Sequence, residues 1–293
     1  MSSLREVKDR IASVRSTLKI TSAMKLVASS KLRKAQRTIE ALRPYEATLT
    51  KILSSLPPVQ ETPVKAGDDG LESVMDGTDQ LSRTIVLAIS SNQSMCGAFN
   101  ANVIKRTMDT LAGMEGPVEV WSFGKKMTEA LRKAGRPAAR DYTAIVTHPA
   151  SDVVADISRE LRSMYEAGEV GNVLLVYNHF VSTGKQAAVT EPFLPFNGIS
   201  GIVPQEEEDD KYILEPSAEE LATAMIPQLL DLKLFAAILD SAAAEHAARM
   251  VAMQAATDNA EDLLAQLTLE YNKGRQQKIT SEILDIVGGS ADR

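Results

Sequence analysis

From Leu229 to Tyr271 the chain returns to one helical seam every three or four residues without a break. The frame passes through Leu229, Leu232, Ala236, Leu239, Ala243, His246, Met250, Met253, Thr257, Ala260, Leu264, Leu267 and Tyr271. A sustained heptad of this kind predicts a long helix with a partner helix along its seam. Between Met250 and Ile286 there is no proline, and the only glycine is Gly274, so nothing punctuates the helix. A run from about Ser217 to Val287, at ~1.5 Å per residue, is ~100 Å long. That is wider than a compact domain of this size, so the helix is expected to protrude as a rod.

The other end of the chain carries a matching pattern. Leu4, Val7, Ile11, Val14, Leu18, Thr21, Lys25, Ala28, Leu32, Ala35, Ile39 and Leu42 alternate by three and four. This predicts a first long helix over residues 2–56, stopped by Pro57–Pro58 and kinked or briefly broken near Arg43 by Pro44. The seam weakens at Thr21, Lys25 and Ala28, where small side chains allow close backbone approach. Winding the two terminal helices together antiparallel buries both seams without a long return of the chain. The first 44 residues hold eleven Lys/Arg against Glu6, Asp9 and Glu40, a net of +8 in a chain whose total is −7, so the rest carries −15. A basic helix on an acidic protein points to an acidic partner surface.

Between the helices the period changes. Residues 57–82 are polar, rich in Pro and Gly, and acidic: a linker. Strands are predicted at Thr84–Ser90, Val118–Phe123, Asn172–Asn178 and Gln186–Phe193. Helices are predicted at Ala101–Leu111, Lys125–Ala134 and roughly Ser151–Ala167, the last with Ser151 as its N-cap. Strands alternating with helices predict a Rossmann-like α/β domain with a mostly parallel sheet. The expected division is a coiled-coil helix at 1–56, the linker at 57–82, the α/β domain at 83–196, an acidic loop at 197–216 and the second coiled-coil helix at 217–293.

Chemistry is sparse. Gly124–Lys125 and Gly184–Lys185 lack the spacing of a phosphate-binding loop, and no GxGxxG surrounds Cys96–Gly97. His148, His179 and His246 show no metal-ligand spacing. His246, on the seam, reads as an interface histidine. Cys96 with His179 is the one conceivable nucleophile–base pair, though a lone cysteine is more often simply buried. It also excludes an intramolecular disulfide. Tyr45 is the only aromatic before Phe99, which disfavours nucleic-acid binding by the basic helix. No unbroken run of about 18 apolar residues marks a transmembrane helix. No cofactor or metal is expected. Residues Asn272–Lys278 are polar around the whole helix, as for a shaft inside a sleeve, and Arg275 offers a bidentate fork for carboxylates.

Several stretches then resemble one family, the gamma subunits of F-type ATP synthases. KITSAMKLVASSKLRKAQ (Lys19–Gln36) is similar to the family's N-terminal motif. ARMVAMQAATDNA (Ala248–Ala260) and LTLEYNKGRQQKITSEILDIVGG (Leu267–Gly289) are similar to its C-terminal signature. CGAFN (Cys96–Asn100) and LVYNHF (Leu175–Phe180) resemble its middle-domain motifs. The resemblance implies a non-catalytic central rotor shaft, inserted into the hexamer of alpha and beta subunits and seated near the epsilon subunit and the c-ring. Ion flow would turn it, and its changing contacts would drive the beta subunits through ATP synthesis.

By position, the resemblance places Arg275, Gln276 and Thr280 against loops of beta. Lys25, Lys31, Arg33 and Lys34 fall against an acidic lever segment of beta, and Tyr212 and Glu215 fall near the c-ring and epsilon. It implies a peripheral location on the cytoplasmic face of a bacterial inner (plasma) membrane, or alternatively on the matrix side of the mitochondrial inner membrane. The chain departs from the family at Asn92, Gln93, Ser94 and Met95, where an acidic–Arg–Gly–Leu run is usual. It departs again at Gly274, where a better helix former is usual and a softer shaft is expected. The residues taken alone also fit a static coiled-coil tether with an α/β head, or a small α/β enzyme with helical arms.

Overall fold

The computed structural model describes residues 4–55, 83–196, 215 and 217–291. The linker at 57–82 with Pro57–Pro58, and all of the acidic loop at 197–216 except Glu215, Tyr212 included, lie outside the described residues. Eleven elements follow in order among those described. They are α1 (Leu4–Ser55), β1 (Arg83–Ile89), α2 (Phe99–Ala112), β2 (Val118–Phe123), α3 (Lys125–Lys133) and β3 (Arg140–Asp141). After them come α4 (Thr143–Thr147), α5 (Ser151–Glu166), β4 (Val170–Ser182), β5 (Lys185–Leu194) and α6 (Ala218–Ala291). The long terminal helices pack together antiparallel, and the middle of the chain forms a five-stranded, mostly parallel sheet with helices. The chain separates into two compact units, Met1–Ser30 with Arg249–Arg293, and Lys31–Ala248.

The first unit is a pair of helical segments. Val7, Thr21 and Ala28 of α1 are buried, as are Met253, Thr257, Ala260 and Leu267 of α6. All are seam positions. Ile20, Leu26 and Val27 fall off the seam and stay exposed. The antiparallel register can be followed residue by residue. The hydroxyls of Thr21 and Thr257 lie 2.9 Å apart in the buried seam. Farther along, a Cβ placed on Gly274 would come within 3.1 Å of Leu4 Cδ2. Gly274 therefore lets the Leu4 side chain at the start of α1 lie close against α6, a packing reason for a residue that otherwise weakens a helix.

In the second unit the sheet order is β3-β2-β1-β4-β5. β1 lies parallel to both β2 and β4, with Leu87 opposite Trp121 on one side and Leu175 on the other. β4 and β5 form an antiparallel hairpin. Side chains alternate across a strand, so the sheet presents two apolar faces. Ile85, Leu87, Ile89, Trp121, Phe123 and Leu175 face α4, α5 and α6. Val86, Ala88, Val120 and Val176 face α2 and α3. This burial on both faces explains the unbroken apolar run of β1.

Three expectations need correction. β3 and α4 were not predicted; at two and five residues they are too short for any period to show. The N-cap of α5 is Ala150, with no side-chain cap bond, and Ser151 is the first helical residue. α1 continues through Pro44 as one helix, with Thr48 Oγ1 donating back to the Pro44 carbonyl at 2.8 Å. α6 also holds an internal proline, Pro227.

Within the second unit α6 serves several cores at once. Leu230, Leu234, Ala237 and Ile238 join the sheet core. Ala222, Met225, Leu229 and Leu232 pack on Leu49 and Leu53 of α1. Ala244 and Ala248 pack on Cys96 and Phe99. A helix apolar on every side belongs inside a core. Between Glu220 and Leu284 it is also long and apolar enough to cross a membrane by length and composition, with 44% of its most apolar window buried in the protein. The expectation from unbroken apolar runs missed this window, which is built mainly from alanine and leucine with isolated polar residues.

Candidate interaction surfaces

The turn after β1 is held by a network of polar side chains. Ser91 Oγ donates to the Gln93 carbonyl at 2.6 Å, and Asn100 Oδ1 accepts from the Ser91 amide at 3.1 Å. Met95 has φ 64° and Gly97 φ 57°, which folds the turn tightly enough to bury Cys96. The thiol lies 3.1 Å from Asn100 Nδ2, which donates to it. His179 instead has its Nδ1 2.6 Å from Asp240 Oδ2. The structure gives the two conceivable catalytic partners different neighbours, and no nucleophile–base pair forms.

The crevice at the carboxyl ends of parallel strands, where such folds bind nucleotides, is filled by the protein itself. At the start of α3 the Lys125 amide donates to Asn92 Oδ1 at 2.9 Å. The Lys126 amide donates to the Ser91 carbonyl at 3.1 Å, and the Met127 amide to Ser90 Oγ at 2.9 Å. These are the amides a phosphate would need. Gly124, at φ 104°, lets β1 come so close that a Cβ there would sit 2.3 Å from the Ser90 carbonyl oxygen. Among the described residues no group of three or more His, Cys, Asp or Glu is arranged to hold a metal ion.

Asn92 accounts for part of the departure from the family pattern. Besides accepting from Lys125, its Nδ2 donates to the Thr143 carbonyl at 3.0 Å and to Thr147 Oγ1 at 2.8 Å. An acidic residue could accept at one end but could not donate at the other. The amide ties the turn to both α3 and α4.

A cavity of about 340 Å³ opens between α1, the β4–β5 hairpin and α6, with Glu46, Tyr177, His179, Glu191, Lys233 and Asp240 among its lining residues. Burial pushes the Tyr177 phenol well above its usual range, with Glu191, Asp240 and Glu46 adding to the shift. Burial lowers the Lys233 ammonium; its Nζ donates to the Pro192 carbonyl at 2.7 Å. Burial raises the Asp240 carboxyl, opposed by its hydrogen bonds to His179 and the Phe180 amide. These groups are engaged with one another and join three elements.

The residues expected to meet partners lie on helix surfaces. Lys25 is half-buried at the seam of the first unit; Lys31, Arg33 and Lys34 are exposed in the second, beside buried Leu32 and Ala35. Arg275, Gln276 and Thr280 are exposed on α6, with Thr280 Oγ1 donating to the Gln276 carbonyl at 2.9 Å. Lys25 and Arg275 are not neighbours. Thr21 meets Thr257 and Leu4 meets Gly274, so the two sites lie roughly 30 Å apart along the helix pair. Glu215 is exposed at a bend, and Tyr212 lies outside the described residues. The sequence reading missed an apolar surface beside Thr280, where Ile279, Ile283 and Leu284 are 47%, 55% and 64% exposed. Its signal was that these residues fall after the last seam position, Tyr271.

A family model described as ATP synthase matches residues 3–291. The chain is 44% identical to the ATP synthase gamma chain of Bacteroides thetaiotaomicron over 305 residues, covering 99% of each. It is 42% identical to that of Flavobacterium psychrophilum over 293 residues, covering 99% of this chain and 98% of the other. Among solved structures, the rotor of the Euglena gracilis mitochondrial ATP synthase matches with a TM-score of 0.63 at 18% identity, over 94% of this chain and 98% of that one. The central stalk and c-ring structure of Tetrahymena thermophila mitochondrial ATP synthase matches at 0.58 and 22% identity, over 81% and 99%.

Proposed function

The chain belongs to the ATP synthase gamma-chain family, and from that premise we propose which of its surfaces meet which partners. The family is the non-catalytic central-stalk rotor of a complex with the F1 hexamer and the c-ring. This bacterial member is peripheral at the cytoplasmic face of the membrane. Arg275, Gln276 and Thr280 contact loops of the beta subunits. Lys25, Lys31, Arg33 and Lys34 contact an acidic segment of beta. Tyr212 and Glu215 contact the c-ring and the epsilon subunit. The helices at 1–56 and 217–293 form the shaft, the segment 83–196 its α/β domain, and 57–82 and 197–216 connect them.

One observation carries this reading. Beyond Tyr271, every α6 side chain described up to Leu284 is exposed, with only Gly274 half-buried. A helix end that the described residues of its own chain leave largely uncovered suits a sleeve supplied by other subunits. The contacts open to its polar stretch, Asn272–Lys278, are weak. Exposed ion pairs contribute ~0.2–1 kcal/mol each, which suits contacts made and released at every step of a turn. The test is Arg275→Ala with Gln276→Ala in the reconstituted complex. Coupled ATP synthesis is expected to fall by up to about fivefold, the upper end those energies give, with the circular dichroism of the isolated chain unchanged. Unaltered synthesis would remove both residues from the coupling.

A further inference from the structure

Torque must pass between α6 and the sheet that it lies on, and the packing alone is poorly suited to that. From Ala236 to Ala248, α6 contains seven alanines. Helices resist rotation about their own axes by interlocking side-chain ridges with grooves, and alanine makes low ridges. Apolar attraction is also non-directional. Hydrogen bonds are directional, and among the described residues three sets of them join α6 to α5, β4 and β5.

From α5, Arg162 Nη1 donates to the Pro227 carbonyl at 2.6 Å and to Asp231 Oδ1 at 3.0 Å. Toward β5, Lys233 Nζ donates to the Pro192 carbonyl at 2.7 Å. Toward β4, Asp240 meets His179 Nδ1 at 2.6 Å and accepts from the Phe180 amide at 3.3 Å. At ~100° per residue, Asp231 and Lys233 point about 160° apart around the helix axis, and Asp240 falls within about 20° of Lys233. The ties therefore grip α6 from opposite sides. Two lateral restraints on opposite sides of an axis form a couple, the arrangement that opposes twisting about it. The Arg162 and Asp231 side chains are 14% and 29% exposed, and Asp240 is 18% exposed against 52% for His179, so the Arg162 tie is the better shielded from solvent.

The geometry points to Arg162–Asp231, Lys233–Pro192 and Asp240–His179/Phe180 as rotational keys that lock α6 to the α/β fold and carry torque between them. This rests on the rotor function, for which these are positioning residues without contact to nucleotide or ion. Removing the keys leaves the apolar seat intact and makes the junction torsionally softer, so the loss shows most when the driving gradient is small.

The test uses the whole synthase with its membrane sector, reconstituted in vesicles and carrying Arg162→Met, Asp240→Ala or both, which delete the donor and the acceptor. Synthesis is measured over a range of imposed ion gradients, with ATP hydrolysis in parallel. In the double variant, synthesis at a limiting gradient is expected to fall at least fivefold, and at a saturating gradient less than twofold, with hydrolysis nearly unchanged. Angular fluctuations of a bead fixed to the α/β unit, with the hexamer anchored, are expected to widen in the same variant. Arg162→Lys, which keeps the charge and can still donate, should fall between, and it carries the test where the double variant does not assemble. Gradient dependence and fluctuations equal to wild type would overturn the proposal, as would synthesis and hydrolysis falling in step. A wild-type chain that supports no synthesis in the same vesicles would instead overturn the rotor reading itself.

Discussion

Asn92 and Asp240 show what single side chains do here. Replacing Asn92 by Asp keeps the acceptor for the Lys125 amide and deletes the donor to Thr143 and Thr147. A carboxylate left facing the Thr143 carbonyl is expected to cost about 1–3 kcal/mol, measured as a lower urea midpoint with an unchanged slope. Asp240 gives a pH signature. Its carboxyl is raised by burial, so the folded protein holds that proton where the unfolded chain has released it. This contribution is complete below the ordinary aspartate value of about 4 and is lost as pH rises through the raised value. Asp240→Asn is expected to flatten that part of the stability–pH curve, seen by thermal unfolding from pH 4 to 7. Neither role was legible in the sequence. Asn92 could be seen only as a departure from a motif, because its partners lie 33 to 55 residues away. Asp240 was one acid among many until folding set it beside His179.

At the level of elements, periodicity announced the two long helices, and all twelve α1 seam positions from Leu4 to Leu42 are buried or half-buried. The four expected strands are present: β1 is an unbroken apolar run because both its faces are buried, whereas β5 is mostly half-buried and mixes polar with apolar residues. β3 and α4 are fixed by tertiary contacts instead: β3 by its pairing with β2, α4 by Ile145 in the sheet core. Gly274 was expected to soften the shaft, whereas the structure places it against Leu4. Gly274→Ala sets a helix gain of up to about 1 kcal/mol against a 3.1 Å contact with one methyl of a half-buried leucine at the start of α1. That side chain can give way, so a net stabilisation of about 0.5 kcal/mol is expected in chemical denaturation. The Thr21–Thr257 pair supplies a second check. Thr21→Val alone should destabilise by about 1 kcal/mol, and Thr21→Val with Thr257→Val by less than the two single changes added together.

For the molecule as a whole, the two ends of the chain and the sheet between them were legible, as was the family. The partner-facing residues could be placed only by resemblance, because an exposed side chain leaves no trace in the period of its own helix. The three roles of α6 could not be read at all, since a helix apolar on every side has no stripe to follow. Leu234, fully buried against the sheet, makes that dependence measurable: Leu234→Ala is expected to cost about 2–5 kcal/mol and to lower the melting temperature of the α/β unit. The same helix also sets the order of events at the ribosome. The α/β unit needs Leu230, Leu234 and Ile238, and Leu49 and Leu53 of α1 need Ala222, Met225 and Leu229. At bacterial synthesis speeds of roughly 5–20 residues per second, on the order of ten to thirty seconds separate these halves of one core. Throughout that interval the nascent chain shows an unpaired apolar seam, joined by an uncovered sheet face once β5 has been made. Folding of this protein therefore finishes only once its last helix has been translated, and until then its early segments are natural clients for a chaperone.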